Sequence, residues 1–206
     1  MTDGRGRVPD DAATDDDPIH VVGVPGSLRE ASRTRVALRH ALDAAESLGA
    51  TTDLIDLRTL ELPLFDASEK DAGDAPELRA RIRAGDAVVL ATPMYHGSYS
   101  SVLKTALDYS GFDEFEHTTV GLLGVSGGSF PITALDHLRS VCRALDAWVL
   151  PFEAAVPNAS SRIEDGAFVD DDLARRVRTL GLRAVQYARI EPDPRTFESD
   201  LNVGAE

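Results

Sequence analysis

The chain has 206 residues, 43% of them hydrophobic and 27% charged, and these proportions suit one globular domain with a full-sized core. Its 35 acidic and 21 basic residues give a formal charge of −14, which disfavours nucleic acid and anionic membranes as partners. No apolar run approaches the roughly 18 residues of a membrane span. The acidic, polar N-terminus does not resemble a secretory signal peptide, so we expect a cytoplasmic protein.

The basic residues are unusual in kind. Only Lys70 and Lys104 are lysines, and the other nineteen are arginines. An acid-rich, lysine-poor composition resembles that of proteins from a high-salt cytoplasm, where screening tolerates dense like charge. Halophilic origin is therefore a hypothesis, which composition alone does not decide.

The predicted elements begin after residues 1–17, which contain six aspartates and predict a disordered acidic tail. Apolar runs predict strands, and apolar residues at helical spacing predict helices. Residues 191–206 are polar and predict a loose C-terminal tail. Strands are expected at 19–24, 51–56, 86–92 and 118–125, with a fifth starting in 147–150, and helices at 32–48, 76–84, 100–109, 132–145 and 171–188.

Strands therefore alternate with helices about five times between residues 18 and 190. This alternation predicts a single α/β domain with a doubly wound, five-stranded parallel sheet and right-handed crossovers. The strand order that fits is 2-1-3-4-5, and ligands of such sheets bind beyond the carboxyl ends of the strands. The loops after strands one, three and four read PGSLREASRT, PMYHGSYS and SGGSFP, and we expect all three at one edge.

The first of these loops contains neither the GxxxxGK[ST] nor the GxGxxG pattern. It does place the hydroxyls of Ser27, Ser32 and Thr34 at the start of a helix, where free N–H groups and the helix dipole favour an anion. Arg29 could add a charge-assisted hydrogen bond. These features suit one phosphate monoester, but a capped helix start with solvated arginines explains the loop equally well.

The second loop, residues 93–98, contains Tyr95 and His96. Its backbone and the Tyr95 ring could line a flat heterocycle, although Tyr95 could also be an ordinary half-buried aromatic residue. His96 has no second histidine or carboxylate at ligand spacing, so no metal site is expected.

In the third loop, Gly127 and Gly128 are flanked by Ser126 and Ser129. Paired glycines let a backbone approach a ligand and direct N–H groups at it, or they form a simple turn. The stretch GVSGG also matches the nucleophile pattern GxSxG loosely, with Ser126 as the nucleophile of a hydrolase. That alternative is weak because the only downstream histidine, His137, lies in the next helix.

Together the three loops resemble those of the NADPH-dependent FMN reductase family, which are flavodoxin-like flavoproteins with a three-layer sandwich. The resemblance rests on GSLREAS (26–32), PMYHGSYSSVLKTALD (93–108) and VSGGS (125–129), in the right order and on the right loops. It covers about residues 19–156. The family commonly has glutamate and asparagine where this chain has Met94 and His96, so His96 could alter substrate choice or redox poise.

The resemblance implies FMN as the cofactor and NAD(P)H as the co-substrate. The first loop would hold the FMN phosphate, the second would line the ribityl chain and isoalloxazine, and the third would direct N–H donors at the pyrimidine edge. The implied cofactor-binding residues are Ser27, Arg29, Ser32, Thr34, Pro93, Met94, Tyr95, His96, Gly97, Ser98, Ser126, Gly127, Gly128 and Ser129.

The implied reaction needs no side-chain acid or base, since NAD(P)H gives a hydride to the flavin and a small-molecule acceptor then takes the electrons. The acceptor could be a quinone, a flavin, or an azo or nitro compound, and NADH is not distinguished from NADPH. Members of the family typically form dimers or larger assemblies, so a homodimer or homotetramer is expected. Residues 100–112 are a candidate interface, and a role in the core explains their apolar pattern equally well. An electron carrier of the flavodoxin type and a flavin-binding regulatory protein are the alternatives.

Overall fold

The computed structural model describes residues 17–190. The predicted acidic tail, apart from Asp17, and the predicted C-terminal tail over 191–206 lie outside the described residues. Within residues 17–190, no helix has both the length and the apolar character that a membrane crossing requires.

A parallel sheet forms the centre of the domain. Its path runs β2-β1-β3-β4-β5, which confirms the predicted order. Strands β3 and β4 are buried along their whole length because helices cover both faces of the sheet. The first four strands are β1 (His20–Pro25), β2 (Thr51–Leu54), β3 (Ala87–Pro93) and β4 (Thr119–Val125).

The fifth position in the sheet is divided between two short strands. Both β5 (Trp148–Val149) and β6 (Ala154–Val156) pair in parallel with β4, on the edge that β3 does not occupy. Pro151 lies between them, and proline has no N–H to continue a ladder. The sequence predicted only the first of the two, since three small apolar residues form too short a pattern.

Helices cover the two faces of the sheet and complete the predicted three layers. Val21 and Val89 point into a core with α1 and α6, whereas Val22 and Val88 point into a second core with α2, α3 and α5. Alternate residues of one strand thus pack into the cores on opposite faces of the sheet. The helices are α1 (Arg33–Glu46), α2 (Ala75–Arg83), α3 (Ser101–Asp108), α4 (Phe112–Phe115), α5 (Ile132–Ala144) and α6 (Asp171–Gln186).

A small hairpin, missed in the sequence, precedes α6. Its strands β7 (Ile163–Glu164) and β8 (Ala167–Phe168) pair antiparallel around Asp165 and Gly166, whose φ angles are 46° and 79°. Two positive φ values are the signature of a type I′ turn, and Asp-Gly is one of its preferred sequences. A hydrogen bond of 3.2 Å from Arg33 Nε to the carbonyl of Ile163 fastens the hairpin to the start of α1.

Helix α6 packs closely against α1 at Gly181. A Cβ added to Gly181 would lie 1.9 Å from the carbonyl oxygen of Ala41 and 2.7 Å from its carbonyl carbon. Both atoms belong to backbone and cannot move aside as a flexible side chain could. Gly181 therefore sets the distance between α1 and α6, and with it the position of the hairpin.

Replacing Gly181 with alanine should lower the free energy of unfolding by about 1–3 kcal/mol because the helices must separate. Urea denaturation of the full chain measures the loss. Gly111→Ala is the matched control, since its added Cβ would meet only Glu114 Oε2, at 3.9 Å. Equal stability of the two variants would contradict the proposed close contact.

Candidate functional site

A small cavity of about 110 Å³ lies at the carboxyl ends of β1, β3 and β4, and residues from all three predicted loops line it. The predicted residues that meet there are Ser27, Arg29, Ser32, Thr34, Pro93, Met94, Tyr95, Ser126 and Gly127. The other predicted residues, His96, Gly97, Ser98, Gly128 and Ser129, lie on the same loops but do not line the cavity. The structure thus brings the three loops together as the topology required.

The first loop offers a row of unused hydrogen-bond donors. Within residues 17–190, the backbone N–H groups of residues 27–34 donate to no other group of the chain. Ser32 caps α1, because its hydroxyl accepts from the N–H of Arg35 at 3.1 Å. The hydroxyls of Ser27 and Thr34 have no partner in the described chain, although both residues are only 3% exposed. The helix is therefore capped, as predicted, and donors for an anion remain.

Two arginines near this loop, Arg35 and Arg29, make different contacts. Arg35 donates to the backbone carbonyls of Arg29 and Glu30 and lies 3.8 Å from a carboxylate oxygen of Asp56. It engages the acceptors of the loop and leaves the N–H donors free. Arg29 is exposed, lines the cavity, and its side chain forms no ion pair within the described chain, so it is available to an anion.

The second loop closes in a tight turn. Tyr95 and Ser98 exchange backbone hydrogen bonds of 2.9 and 3.0 Å, and the two residues between them have positive φ, 49° at His96 and 81° at Gly97. This is the geometry of a type I′ turn, in which asparagine is favoured at the first position and histidine is tolerated. His96 therefore occupies the tip of the turn, and half of the Tyr95 surface is exposed.

Contacts to α5 hold the second loop in place. The Ser98 hydroxyl and His137 Nδ1 lie 3.1 Å apart, and the Thr133 hydroxyl lies 3.8 Å from the sulfur of Met94. Thr133 and His137 are four residues apart on α5 and share one face of the helix. The loop is thus fixed to a rigid element at both ends of its turn.

The third loop has its carbonyls bound and its N–H groups free. The Ser126 hydroxyl donates to the carbonyls of Gly128 and Ser129, and the N–H of Asn158 donates to the carbonyl of Gly128 at 2.8 Å. Within the described chain, the N–H groups of residues 127–130 have no acceptor. The hydrolase alternative is not supported, because the Ser126 hydroxyl is committed to these carbonyls and His137 pairs with Ser98.

Sequence reasoning missed the residues that join the loops to each other. Ser100 is 2% exposed, and its hydroxyl donates to the carbonyl of Gly26 at 2.6 Å, while its N–H donates to the Thr92 hydroxyl at 3.0 Å. A Cβ at Gly26 would lie 2.5 Å from that hydroxyl, so glycine is needed there. Ala159 and Ser160 also line the cavity and belong to no motif that could have indicated them.

A comparison with known protein families identifies the class of protein to which this chain belongs. The profile of the NADPH-dependent FMN reductase family matches residues 19–161, which include all three loops and the cavity-lining residues after β6. The chain belongs to the NADPH-dependent FMN reductase family. It is accordingly an FMN-dependent oxidoreductase that uses NAD(P)H, which favours an enzyme over the electron-carrier alternative.

Individual relatives agree with this family. An NADPH azoreductase from Bacillus sp. (strain OY1-2) is 33% identical over 156 residues, which cover 74% of this chain and 84% of the relative. An FMN-dependent NADPH-azoreductase from Staphylococcus haemolyticus is 31% identical and covers 72% of this chain and 84% of its own. The solved structure of FerB, a flavoenzyme NAD(P)H:(acceptor) oxidoreductase from Paracoccus denitrificans, has the same flavodoxin-like fold, with a TM-score of 0.70 at 22% identity over 82% of this chain and 97% of its own.

The Ser100 hydroxyl also caps α3 by accepting from the N–H of Leu103 at 3.2 Å. Replacing Ser100 with alanine should cost about 1–3 kcal/mol of stability, because α3 loses this cap and the Gly26 carbonyl loses its donor. The first loop should also loosen, so FMN should bind more weakly to this variant. Urea denaturation and fluorescence titration with FMN measure the two effects. The neighbouring Ser101→Ala, at an exposed position, should change stability by less than about 0.5 kcal/mol, and equal effects of both substitutions would contradict the role of Ser100.

Proposed function

We propose that this family member binds FMN across the three loops and uses it to pass electrons from NAD(P)H to a small aromatic acceptor, an azo compound or a quinone. The domain that does this would be residues 18–190. The observation that carries the proposal is the row of free N–H groups at residues 27–34, beside the unpartnered hydroxyls of Ser27 and Thr34. Ser27, Ser32 and Thr34 are buried residues whose N–H groups lack an acceptor within the described chain, and an anion is the partner that a helix N-terminus favours.

The donor set suits a phosphate monoester. Hydroxyls from Ser27 and Thr34, backbone N–H groups and the free guanidinium of Arg29 supply neutral and charged donors, all of which a dianionic phosphate can accept. A cavity of about 110 Å³ has room for the phosphate and the adjoining atoms of a ribityl chain. The tricyclic ring would lie outside this cavity, along Pro93–Ser98 and Ser126–Ser129. The proposed phosphate ligands are therefore Ser27, Arg29, Ser32 and Thr34.

The redox chemistry of such an enzyme belongs to the flavin, which takes a hydride from NAD(P)H and delivers the electrons to the acceptor. The contribution of this chain is electrostatic. The N–H groups of residues 127–130 have no acceptor within the described chain, whereas the carbonyls of Gly128 and Ser129 are already engaged. Fixed donors of this kind stabilise negative charge that develops on the pyrimidine edge of a flavin during reduction, without a side-chain acid or base.

An open site with aromatic surroundings supports a planar acceptor. Tyr95 is 50% exposed and Phe130 is 63% exposed, and these rings belong to or directly follow the second and third loops. Exposed aromatic faces favour stacking with a flat, conjugated molecule. The two azoreductases from Bacillus and Staphylococcus act on that class of acceptor, which supports the same class here.

We further propose a cytoplasmic homodimer or homotetramer adapted to high salt. Dependence on NAD(P)H supports the cytoplasm, and the 55% exposure of Phe112 supports residues 100–112 as an interface. The charge of −14 supports salt adaptation. Size-exclusion chromatography and thermal unfolding at low and high salt test these points; a monomer whose stability is independent of salt would contradict them.

The function is tested with the full chain freed of flavin and titrated with FMN in the presence of NADPH and an azo dye. Dye reduction should require FMN and saturate with it. Arg29→Ala should raise the FMN concentration for half-maximal rate by about tenfold, because one charge-assisted hydrogen bond is lost, and leave the maximal rate unchanged. Arg143→Ala removes an exposed arginine in the last turn of α5, which does not line the cavity, and should leave both quantities unchanged.

A protein that binds no FMN would contradict the proposal as a whole. Tight FMN binding without NADPH oxidation would favour the electron-carrier alternative. If Arg29→Ala requires no more FMN than the unaltered chain does, Arg29 is not a phosphate ligand.

A further inference from the structure

Helix α6 and the turn after it are basic in a chain that is otherwise strongly acidic. Residues 173–190 contain five arginines and no acidic residue, although the whole chain has a formal charge of −14. Two of the five have acidic partners, since Arg175 pairs with Asp172 and Arg189 lies 3.4 Å from a carboxylate oxygen of Asp86. The other three pair with no carboxylate within residues 17–190, and they are Arg176, Arg178 and Arg183.

Two of these unpaired guanidinium groups share one aromatic ring. Those of Arg176 and Arg183 lie 5.1 and 4.6 Å from the centroid of the Phe152 ring. Contact with the ring restricts both side chains, but it also brings two like charges close together, and these repel each other. The carboxylate of Glu153 does not relieve the repulsion, because Arg139 binds it at 2.8 Å. An anionic partner would therefore meet two charges that are already held in position.

We call Arg176, Arg183 and Arg189, together with Phe152, the basic strip. Arg176 donates to the backbone carbonyl of Glu153 at 3.3 Å and has no other hydrogen bond within the described chain. Arg189 donates to the carbonyl of Asp17, the first described residue, at 3.2 Å. The N-terminal segment of the chain thus joins the domain beside the last arginine of the strip.

This N-terminal segment has the opposite charge. Residues 8–17 contain five aspartates and no basic residue, at positions 10, 11, 15, 16 and 17. Five negative charges in ten residues therefore lead into a surface whose own arginines lack acidic partners. Complementary charge of this kind favours association, and it favours it most when the two segments already meet at one end.

The lengths of the two segments also match. At 1.5 Å per residue along the helix axis, Arg183 and Arg176 lie about 9 and 20 Å from Arg189. An extended chain spans about 3.3 Å per residue, which carries Asp15 about 7 Å and Asp10 about 23 Å from the first described residue. The two aspartate pairs of the segment can thus reach the two unpaired arginines of the strip in turn.

We propose that residues 8–16 dock on the basic strip, with the aspartate pair 10–11 bound to Arg176 and the pair 15–16 bound to Arg183. Docking would remove the repulsion between the two guanidinium groups and would tie the N-terminal segment to α6. No residue of the strip lines the FMN cavity, so this contact goes beyond the proposed function and does not depend on it.

The C-terminal segment is the less suitable occupant. Residues 191–206 also contain five acidic residues, but these are spread over a longer stretch that includes Arg195. The segment follows α6 directly, so it must reverse its direction before it can run back along the helix. The density of charge and the contact at Arg189 therefore favour the N-terminal segment.

A nitroxide spin label on the full chain tests the contact. Ala12→Cys places the label between the two aspartate pairs. Cys142 does not compete for the label, because it is buried and burial raises the pKa of its thiol to about 12. Electron paramagnetic resonance should show a slowly moving component at the lowest salt at which the chain stays folded. Raising the salt to about 1 M should reduce this component, because salt screens exposed charges.

Substitutions on either side of the contact should release the label. Arg176→Ala combined with Arg183→Ala should lower the ratio of slow to fast label about tenfold, since at least two exposed ion pairs are lost. Asp10→Asn combined with Asp11→Asn should lower the ratio without altering the folded domain. The matched controls are Arg178→Ala, on the opposite side of α6, and Asp3→Asn, outside the acidic segment, and both should leave the ratio unchanged.

Four results would overturn the proposal. The first is a label that moves freely in the unaltered chain, and the second is a slow component that persists when both arginines are replaced. The third is a slow component for a label at Ser199→Cys that depends on the two arginines while the label at Ala12→Cys moves freely, since the C-terminal segment would then be the occupant. The fourth is a slow component that disappears on dilution, which would assign the contact to a second copy of the chain.

Discussion

The structure depends on one constraint: the backbone of the first loop must turn from β1 into α1 with its N–H groups unused. A parallel sheet delivers the loop to its carboxyl edge, and the start of α1 adds the positive end of a helix dipole. Two contacts then hold the loop open. Ser100 engages the carbonyl of Gly26, and Arg35 engages the carbonyls of Arg29 and Glu30. These three carbonyls are thus satisfied within the chain, and the N–H donors of the loop are left for a ligand.

The third loop likewise has engaged carbonyls and free N–H groups. The Ser126 hydroxyl and the N–H of Asn158 bind the carbonyl of Gly128, which leaves the N–H groups of residues 127–130 free. The first loop therefore suits an anion, and the third suits a group that gains negative charge on reduction. Between them the second loop is rigid, because it is closed by its own turn and tied to α5. Under the proposed function, the three loops would supply position and electrostatics, and the flavin would supply the chemistry.

The sequence predicted the strand order because five alternations of apolar strand and amphipathic helix permit few topologies. It also predicted which loops meet, since parallel strands end at a common edge. It could not separate β5 from β6, because Ala154–Val156 is too short to show a period. Ser100 was predicted only as a helix start, since its bond to Gly26 joins residues 74 positions apart and no local pattern reports such a contact. The Asp165-Gly166 hairpin had a readable turn signal that was overlooked. The close approach of α6 to α1 at Gly181 is visible only in the folded chain, because it joins residues 140 positions apart.

The central claim is that the free donors of the first loop bind the phosphate of FMN, and a comparison of FMN with riboflavin tests it most directly. The two molecules share the isoalloxazine and ribityl chain and differ only in the phosphate. Fluorescence titration of the flavin-free full chain should give an affinity for FMN at least about a hundredfold higher than for riboflavin, since two or more charge-assisted hydrogen bonds depend on that group. Equal affinities for the two would contradict the account, because the flavin would then be held without the first loop.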